Sequence, residues 1–240
     1  PGELWPRPRT TEDMDILVQT EILADTDQCL LLGSAMTRLG YQPIPGAEYM
    51  QFVRELDGGK RTVKIDLLTG PIPEEFTNQV RLGDRRVRPT AKGTRIHAHR
   101  TDEALAFEEH LQKLTIDGVC TDGQAYQGTV SIPSPFTFLL MKLHAFRDRF
   151  NDETKEMGQH HAMDIYRIIA MMDQSGFEHA QKMVEAHGAQ AELIAAQEIV
   201  ADYFAQPTHL GVIRLQEHEL FEQDMDTDEF TQVLRDIFET

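Results

Sequence analysis

Two aspartates at the start of a β-prone run, Asp13 and Asp15 in EDMDILV, have a spacing that suits metal chemistry. On a β-strand, residues two apart point to the same face, with Cα atoms about 6.5 Å apart. Two carboxylates held this way repel each other unless a cation lies between them. Mg²⁺ is commonly bound by one or two carboxylates together with substrate phosphates. The pair therefore predicts a divalent-cation site, although two Asp residues also occur at ordinary strand ends and turns.

A third acid has a matching context. Asp66 is the single acid in the apolar run KIDLL, and a carboxylate there must face solvent, a partner or a metal because a lone buried carboxylate is costly. If the strands that carry Asp13 and Asp66 are neighbours, the three acids can hold two metal ions about 3.5–4 Å apart. Such a pair of ions activates an attacking hydroxyl and stabilises a leaving pyrophosphate.

A strand, a helix and a hairpin are predicted to position these acids. Residues 14–18 are β-rich, and residues 25–39 have apolar side chains at helical spacing. Residues 49–56 and 61–68 flank Asp-Gly-Gly-Lys, a strong hairpin signal. The first 70 residues are therefore predicted to run strand, helix, strand, strand.

From Ser134 onward the pattern becomes helical, with Ser134 as the expected N-cap and Pro135 in the first turn. Further helices are expected over residues 164–172, 177–187 and 191–204, and after Asp226 and Glu229, which have capping-box spacing. Residues 103–133 read as a mixture of short helix and strand. The sequence thus predicts an α+β protein with an α/β core over residues 1–133 and a helical domain over residues 134–240.

Positive charge is concentrated in one segment. Residues 81–100 carry Arg81, Arg85, Arg86, Arg88, Lys92, Arg95 and Arg100 and a single acid, Asp84. The segment is either an anion-binding surface or a twisted hairpin with a solvated face, because Leu82-Gly83-Asp84 and Lys92-Gly93 resemble turns. If the protein acts on RNA, we expect the RNA to bind to this segment.

The composition argues against several classes of function. The chain has 23 Lys and Arg against 40 Asp and Glu, a net charge of −17, which disfavours a protein that coats nucleic acid by bulk charge. Its apolar stretches are far shorter than the roughly 20 residues of a membrane helix, and we expect a cytoplasmic protein with no membrane partner. Cys29 and Cys120 are expected to be reduced core thiols.

Zinc chemistry has weaker support in the sequence. The pairs His160-His161 and His97-x-His99 come with no Cys and no spacing typical of a zinc site. Alternation along a strand would nevertheless place His97 and His99 on one face.

Two separated blocks resemble the nucleotidyltransferase superfamily, in the branch of AbiEii-type toxins. Arg9-x-Thr11-x-Asp13-x-Asp15 resembles its R-x-[ST]-x-D-x-D signature. Residues 142–149, KLHAFRDR, resemble its K-[LI]-x-A-x-x-x-R block, and His160-His161-Ala162-Met163-Asp164-Ile165 follows at the expected distance. The resemblance covers residues 7–170.

The resemblance implies a small mixed sheet with flanking helices that transfers a nucleotide from an NTP to a hydroxyl on RNA, protein or a small molecule. Asp13, Asp15 and Asp66 would be the catalytic ligands of Mg²⁺ or Mn²⁺, and Arg9, Thr11, Lys142 and Arg149 would bind the nucleotide. A place in a toxin–antitoxin pair, with an antitoxin partner, is also implied. Asp164 is expected to orient Arg149 or to cap its helix.

Two departures from the family pattern keep other functions open. No Gly-Gly or Gly-Ser pair precedes Arg9, and His161 stands where the family has an acid. Because the chain begins with Pro, we expect the native protein to have been processed or to continue upstream. The alternatives are a catalytically silent member that binds a nucleotide or a partner, and a phosphate-ester hydrolase that uses the same acids with the histidines. The basic residues also have structural alternatives: Lys142 at a helix surface, and Arg9 and Arg149 in ion pairs.

Overall fold

The computed structural model describes residues 13–119 and 123–239, so Arg9, Thr11 and Cys120 lie outside the described residues. The chain divides into two compact units, one ending at Leu105 and one beginning at Ala106. The boundary between units thus falls before residue 133, where the sequence pattern turns helical. Each unit has its own secondary structure and its own core.

The first unit contains the predicted strand, helix and hairpin. Its elements are β1 Asp13–Leu17, α1 Thr20–Ala24, α2 Thr26–Arg38, β2 Gln42–Pro43, β3 Gln51–Leu56, β4 Arg61–Thr69, β5 Val80–Leu82, β6 Arg86–Pro89 and β7 Ala98–Arg100. Helix α2 begins at an Asp25 N-cap, whose carboxylate accepts hydrogen bonds from the backbone N–H groups of Asp27 and Gln28. Such a cap is typically worth about 1 kcal/mol.

All seven strands form one mixed sheet in which β4 has three partners. Strand β1 pairs with β4 in parallel, and β3 pairs with it antiparallel. Strand β7 pairs in parallel with the last residues of β4, beyond those that pair with β3. Strand β6 then pairs with β7, and β5 pairs with β6. The carbonyl oxygens of Leu68 and Thr69 accept hydrogen bonds from Val18 and Thr101. Because successive carbonyls of a strand point to opposite edges, β1 lies on one edge of β4, and β3 and β7 follow each other along the other.

One face of this sheet is covered by helices α1 and α2. Ile65 and Leu67 of β4 alternate toward a core that includes Leu23 and Cys29, and Phe52 of β3 joins it. Each large apolar side chain buried here contributes about 1.5–3 kcal/mol. Cys29 is a buried free thiol, as the sequence predicted, and burial raises its pKa to about 11. Because alternation sends every second residue away from the helices, the same strands carry polar side chains on the opposite face.

The second unit opens with a two-stranded hairpin. Strands β8 Gln112–Val119 and β9 Ala125–Ile132 pair antiparallel. The described residues of the 103–133 stretch form turns and strands only, so the expectation of a short helix there was wrong.

Six helices complete the second unit: α3 Pro135–Arg149, α4 Gln159–Ala170, α5 Gln174–His187, α6 Ala191–Tyr203, α7 Leu210–Gln216 and α8 Thr227–Phe238. The carboxylate of Asp226 caps α8 by accepting from the Glu229 N–H, as predicted. Ser134 is the N-cap residue of α3 and Pro135 begins the helix, as predicted, but the Ser134 hydroxyl makes no capping hydrogen bond. Helix α7 escaped prediction because seven residues are too few to show a helical period.

The α+β class is confirmed. Within residues 13–119 and 123–239, no helix has the length and apolar character that crossing a membrane requires.

Candidate active site on the open face of the sheet

The parallel pairing of β1 with β4 places the three predicted acids on one face. Asp15 lies directly opposite Asp66, and Asp13 lies opposite Lys64. Neighbouring strands are about 4.8 Å apart, and directly opposed residues point to the same side. The condition that the sequence could not test, that the strands of Asp13 and Asp66 are neighbours, is therefore met.

The local environment of Asp66 favours the binding of a ligand or a cation. Its Oδ2 lies 3.6 Å from Nζ of Lys64, and its side chain is 21% exposed. Its Oδ1 is buried and has no hydrogen-bond partner in the structure. A buried acceptor left without a donor costs about 1–3 kcal/mol, which a ligand or cation at this oxygen would offset.

A cavity of about 310 Å³ adjoins Asp66. It lies at the point along β4 where the pairing with β3 stops and the pairing with β7 starts. Ala47, Met50, Gln51 and His99 line it together with the Asp66 segment. The lining thus combines polar and apolar side chains. The volume is at the lower end of the range for small-molecule pockets. The cavity is thus suited to one polar group of a ligand whose remainder extends over the sheet.

Three arginines of the basic segment share the face that carries Asp66. Leu68 of β4 lies opposite His99 of β7, which lies opposite Arg86 of β6. Farther out, Arg88 of β6 lies opposite Arg81 of β5. Because register partners point to the same side, one sheet face carries acids near β1 and β4 and arginines on β5 and β6.

The other basic residues of the segment lie elsewhere. Arg100 donates to the Asp102 carboxylate across 2.6 Å, and Arg85, Lys92 and Arg95 lie outside the strands. The predicted turn at Gly83-Asp84 is confirmed between β5 and β6. The hairpin interpretation is thus confirmed, and anion binding by its arginines stays a prediction.

His97, just before β7, has an unusual environment. Its ring meets Tyr49 edge-on with centroids 5.3 Å apart, and its buried Nδ1 has no partner. Burial, and then the positive charges of Arg86 and Arg88, lower the pKa of His97 from 6.5 to about 4. This imidazole is therefore neutral in the folded protein well below neutral pH.

We expect His97 to make the protein sensitive to acid. Between about pH 6.5 and about pH 4 the unfolded chain binds a proton at this ring and the folded chain does not. The free energy of unfolding must therefore decrease as the pH is lowered across that window. His97→Gln should reduce the loss of stability between pH 7 and about pH 5 in urea titrations followed by circular dichroism. Titration of the His97 Cε1 proton by NMR measures the same pKa directly, and a midpoint near 6.5 would contradict the assignment.

Lys142 and Arg149 belong to the second unit. Nζ of Lys142 lies 2.8 Å from Oδ2 of Asp164, and Arg167 lies 3.8 Å from the other oxygen of that carboxylate. Arg149 contacts Nε2 of His161. Residues 142–149 on α3 and residues 160–165 on α4, the two later parts of the resemblance, are therefore in contact.

These contacts bear on the sequence-based expectations for Asp164. The residue lies inside α4, which begins at Gln159, so it does not cap that helix and that expectation was wrong. Its carboxylate already balances the charge of Lys142, and a phosphate at Lys142 would have to share the ammonium with Asp164. Nucleotide binding by Lys142 and Arg149 stays a prediction.

The residues present suit a hard divalent ion. Asp13, Asp15 and Asp66 supply carboxylate oxygens, the donors that Mg²⁺ and Mn²⁺ prefer, and the unpartnered Oδ1 of Asp66 is an available ligand atom. No three His, Cys, Asp or Glu side chains within residues 13–119 and 123–239 are already gathered closely enough to hold a metal. The acids share a face through backbone register, and binding would require their side chains to turn toward one another.

Gln51 and His99 were not singled out from the sequence as site residues. Gln51 lies opposite Asp66 on β3, and His99 reaches the same face from a strand more than 30 positions later in the chain. Nothing in the sequence marks Gln51, whereas His99 appeared only as half of a histidine pair. Their proximity to Asp66 depends on the three-way pairing of β4.

Comparisons with known proteins give no relative for this chain. No family model, no curated protein and no solved structure matches the chain. Its function has to be inferred from the chain's own residues and their placement.

Proposed function

We propose that the chain is a metal-dependent nucleotidyltransferase that moves a nucleotide from an NTP to a hydroxyl acceptor. The observation that carries this proposal is the register of β1 with β4, which puts Asp13, Asp15 and Asp66 on one open sheet face. Three carboxylates so placed repel one another and favour a cation. The order of the elements and the family resemblance agree with a nucleotidyltransferase-like sheet.

The proposed chemistry is mostly positioning and charge compensation, as in phosphoryl transfer generally. Asp13, Asp15 and Asp66 would hold Mg²⁺ or Mn²⁺. When bound, the metal neutralises triphosphate charge and makes the acceptor hydroxyl more acidic. The Asp66 carboxylate would also help to deprotonate that hydroxyl. Lys64 compensates part of the carboxylate charge before substrate arrives.

Basic side chains would hold the phosphate groups. In the first unit, Arg86 and Arg88 lie on the face of Asp66. Arg9, Thr11, Lys142 and Arg149 are proposed for the nucleotide through the resemblance. An RNA acceptor would lie along the arginines of β5 and β6, whereas a protein or small-molecule acceptor would not need them.

Charge reversal should show whether the β6 arginines bind the anionic substrate. Arg86→Glu with Arg88→Glu is expected to weaken binding at least about tenfold at low salt, and the difference from wild type should shrink as salt rises. Fluorescence anisotropy with labelled NTP and labelled single-stranded RNA measures both. Arg85→Glu with Lys92→Glu makes the same charge change at two residues outside the strands and should act more weakly. Equal losses in the two proteins would contradict a role for the sheet face.

The proposed reaction can be tested by product analysis. Purified protein is incubated with each labelled NTP, Mg²⁺ or Mn²⁺ and a total-cell extract, and the products are separated. Label attached to an acceptor, with release of pyrophosphate, supports the proposal. Free phosphate would favour the hydrolase, and nucleotide binding without turnover would favour the silent member. A labelled acceptor is also the reagent for testing whether a co-expressed antitoxin blocks transfer.

A further inference from the structure

A second cavity of the first unit, of about 570 Å³, takes no part in the proposed transfer reaction. It lies between helix α2, strand β2, the start of β3 and the loop at residues 93–95. Its volume is well inside the range of small-molecule pockets, about 300–1,000 Å³. The cavity is therefore large enough for a whole small ligand.

This cavity is separate from the one at Asp66. Met50 and Gln51 line the cavity at Asp66, whereas Tyr49 and Phe52 line this one. Phe52 belongs to the core between the sheet and the helices, and Gln51 lies opposite Asp66 on the open face. Because neighbouring strand residues point to opposite faces, a ligand in this cavity lies on the helix-covered side of the sheet.

The charge of the lining is positive. Arg38, in the last turn of α2, and Arg95, from the basic segment of residues 81–100, both line the cavity. No Asp or Glu belongs to its described lining residues, although the whole chain has a net charge of −17. Two guanidinium groups that reach one cavity from separate elements are suited to an anion, and their planar fork of N–H donors matches a phosphate.

The cavity also presents aromatic rings. Tyr41 and Tyr49 line it and are only partly buried, so their rings can contact a ligand. The Tyr49 carbonyl accepts a hydrogen bond from the His97 N–H across 2.8 Å, which ties Tyr49 to the chain just after Arg95. Flat heterocyclic rings stack on aromatic side chains of this kind.

The backbone conformation of this region is unusual at two lining residues. Tyr49 has φ 71° and Arg95 has φ 54°, a left-handed conformation that residues other than Gly seldom adopt. Helix α2 packs directly on the loop, because a Cβ at Gly33 would lie 3.4 Å from the Thr94 carbonyl oxygen. Costly conformations of this kind cluster where a protein holds a ligand.

We propose that this cavity binds a small molecule that joins a flat ring to a phosphate, of the class of a nucleoside monophosphate. Arg38 and Arg95 would hold the phosphate, and the ring would pack against Tyr41 or Tyr49. A bare anion would leave the tyrosines without a partner, and an uncharged ring would leave the arginines without one. Binding here uses neither the three acids nor a metal, so it is independent of the proposed nucleotide transfer.

NMR titration of the full chain with adenosine monophosphate tests where such a ligand binds. The titration is done in EDTA, so that no divalent cation can recruit the nucleotide to the acids. Amide signals of residues 33–43 and 93–97 should shift and saturate. The absence of saturable shifts, or shifts confined to β1 and β4, would refute the proposal.

Two ligand fragments test whether the ring and the phosphate are both recognised. Adenosine lacks the phosphate and ribose 5-phosphate lacks the base, and each should bind at least about tenfold more weakly than adenosine monophosphate. Isothermal titration calorimetry in EDTA gives the dissociation constants. Inorganic phosphate that binds as tightly as the nucleotide would contradict the proposal, because the tyrosines would then contribute nothing.

Variants of the lining assign the contacts. Arg95→Gly removes the guanidinium and suits a positive φ, so the protein should stay folded while the dissociation constant rises at least about tenfold. Arg61→Ala removes an exposed arginine that lies near Asp57 and outside this cavity, and it should leave the constant unchanged. Equal effects of the two variants would refute the role of Arg95.

A pair of substitutions at Tyr41 isolates the ring. Tyr41→Leu keeps an apolar side chain but loses the stacking surface, and it should weaken binding of adenosine monophosphate without changing that of ribose 5-phosphate. Tyr41→Phe keeps the ring and should bind both ligands like the wild-type protein. If neither Tyr41→Leu nor Tyr49→Leu weakens nucleotide binding, the ring does not pack against a tyrosine and the proposal is wrong.

Discussion

Asp66→Asn is expected to reduce nucleotide transfer at least about a hundredfold while the protein stays folded. The substitution keeps the size of the side chain but removes the charge and the basic oxygen that metal and acceptor would use, and losses of this order follow when one electrostatic group is removed from an active site. Asp15→Asn, directly opposite on β1, should have a similar effect. Initial rates with labelled NTP and the acceptor found in extract give the measurement.

Stability should separate this effect from damage to the fold. Asn at position 66 relieves repulsion from Asp15 and loses the attraction of Lys64 at 3.6 Å, so the metal-free protein should change by less than about 0.5 kcal/mol. The gain in melting temperature that Mg²⁺ and NTP give the wild-type protein should disappear in the variant.

Glu75→Gln is the matched control for both aspartate variants. Glu75 is exposed in the same unit and lies in a short turn of 3₁₀ helix after β4. The control should retain wild-type activity and the wild-type response to Mg²⁺ and NTP. Full transfer activity in Asp66→Asn would refute the role assigned to this carboxylate.

Phe146→Ala is expected to lower the free energy of unfolding of the helical unit by about 3–5 kcal/mol. Phe146 of α3 is fully buried, with its ring centroid 4.8 Å from that of Phe204 and 5.7 Å from that of Tyr203. A Cβ at Gly158 would lie 3.1 Å from the Phe146 ring. Because these neighbours are fixed by two separate segments, the end of α6 and the turn before α4, they cannot collapse fully into the space that the ring leaves.

Urea titration followed at 222 nm measures this loss, since six of the eight helices in the described residues, α3 to α8, belong to the second unit. Ile194→Ala on α6 is the control, because that side chain is 45% exposed and should cost much less. A loss below about 1 kcal/mol for Phe146→Ala would contradict the packing of this cluster. The same variant tests whether α3 must be held rigidly for Lys142 and Arg149 to act, through its effect on the KM for NTP.

Local patterns in the sequence determined most of the secondary structure. The Asp-Gly-Gly-Lys turn between apolar runs predicted the β3–β4 hairpin, and Asp226 with Glu229 predicted the start of α8. A turn or a helix cap depends on residues a few positions apart, so it can be predicted without knowing the rest of the fold. Ser134 is the predicted N-cap residue, but its buried hydroxyl makes no capping bond, because a local pattern does not determine where the hydroxyl points.

The sequence by itself also identified the three acids and the charge segregation of residues 81–100, because residue type and spacing are enough to propose a metal site or an anion surface. Only the tertiary structure decided that β1 pairs in parallel with β4, which brings Asp15 opposite Asp66 across 50 positions of chain. It also decided that Arg86 and His99 share their face. Strand pairing depends on which distant edges meet and in what register, and a shift of one residue would reverse every side chain. That choice is made by the core as a whole, which is why no single stretch of sequence contains it.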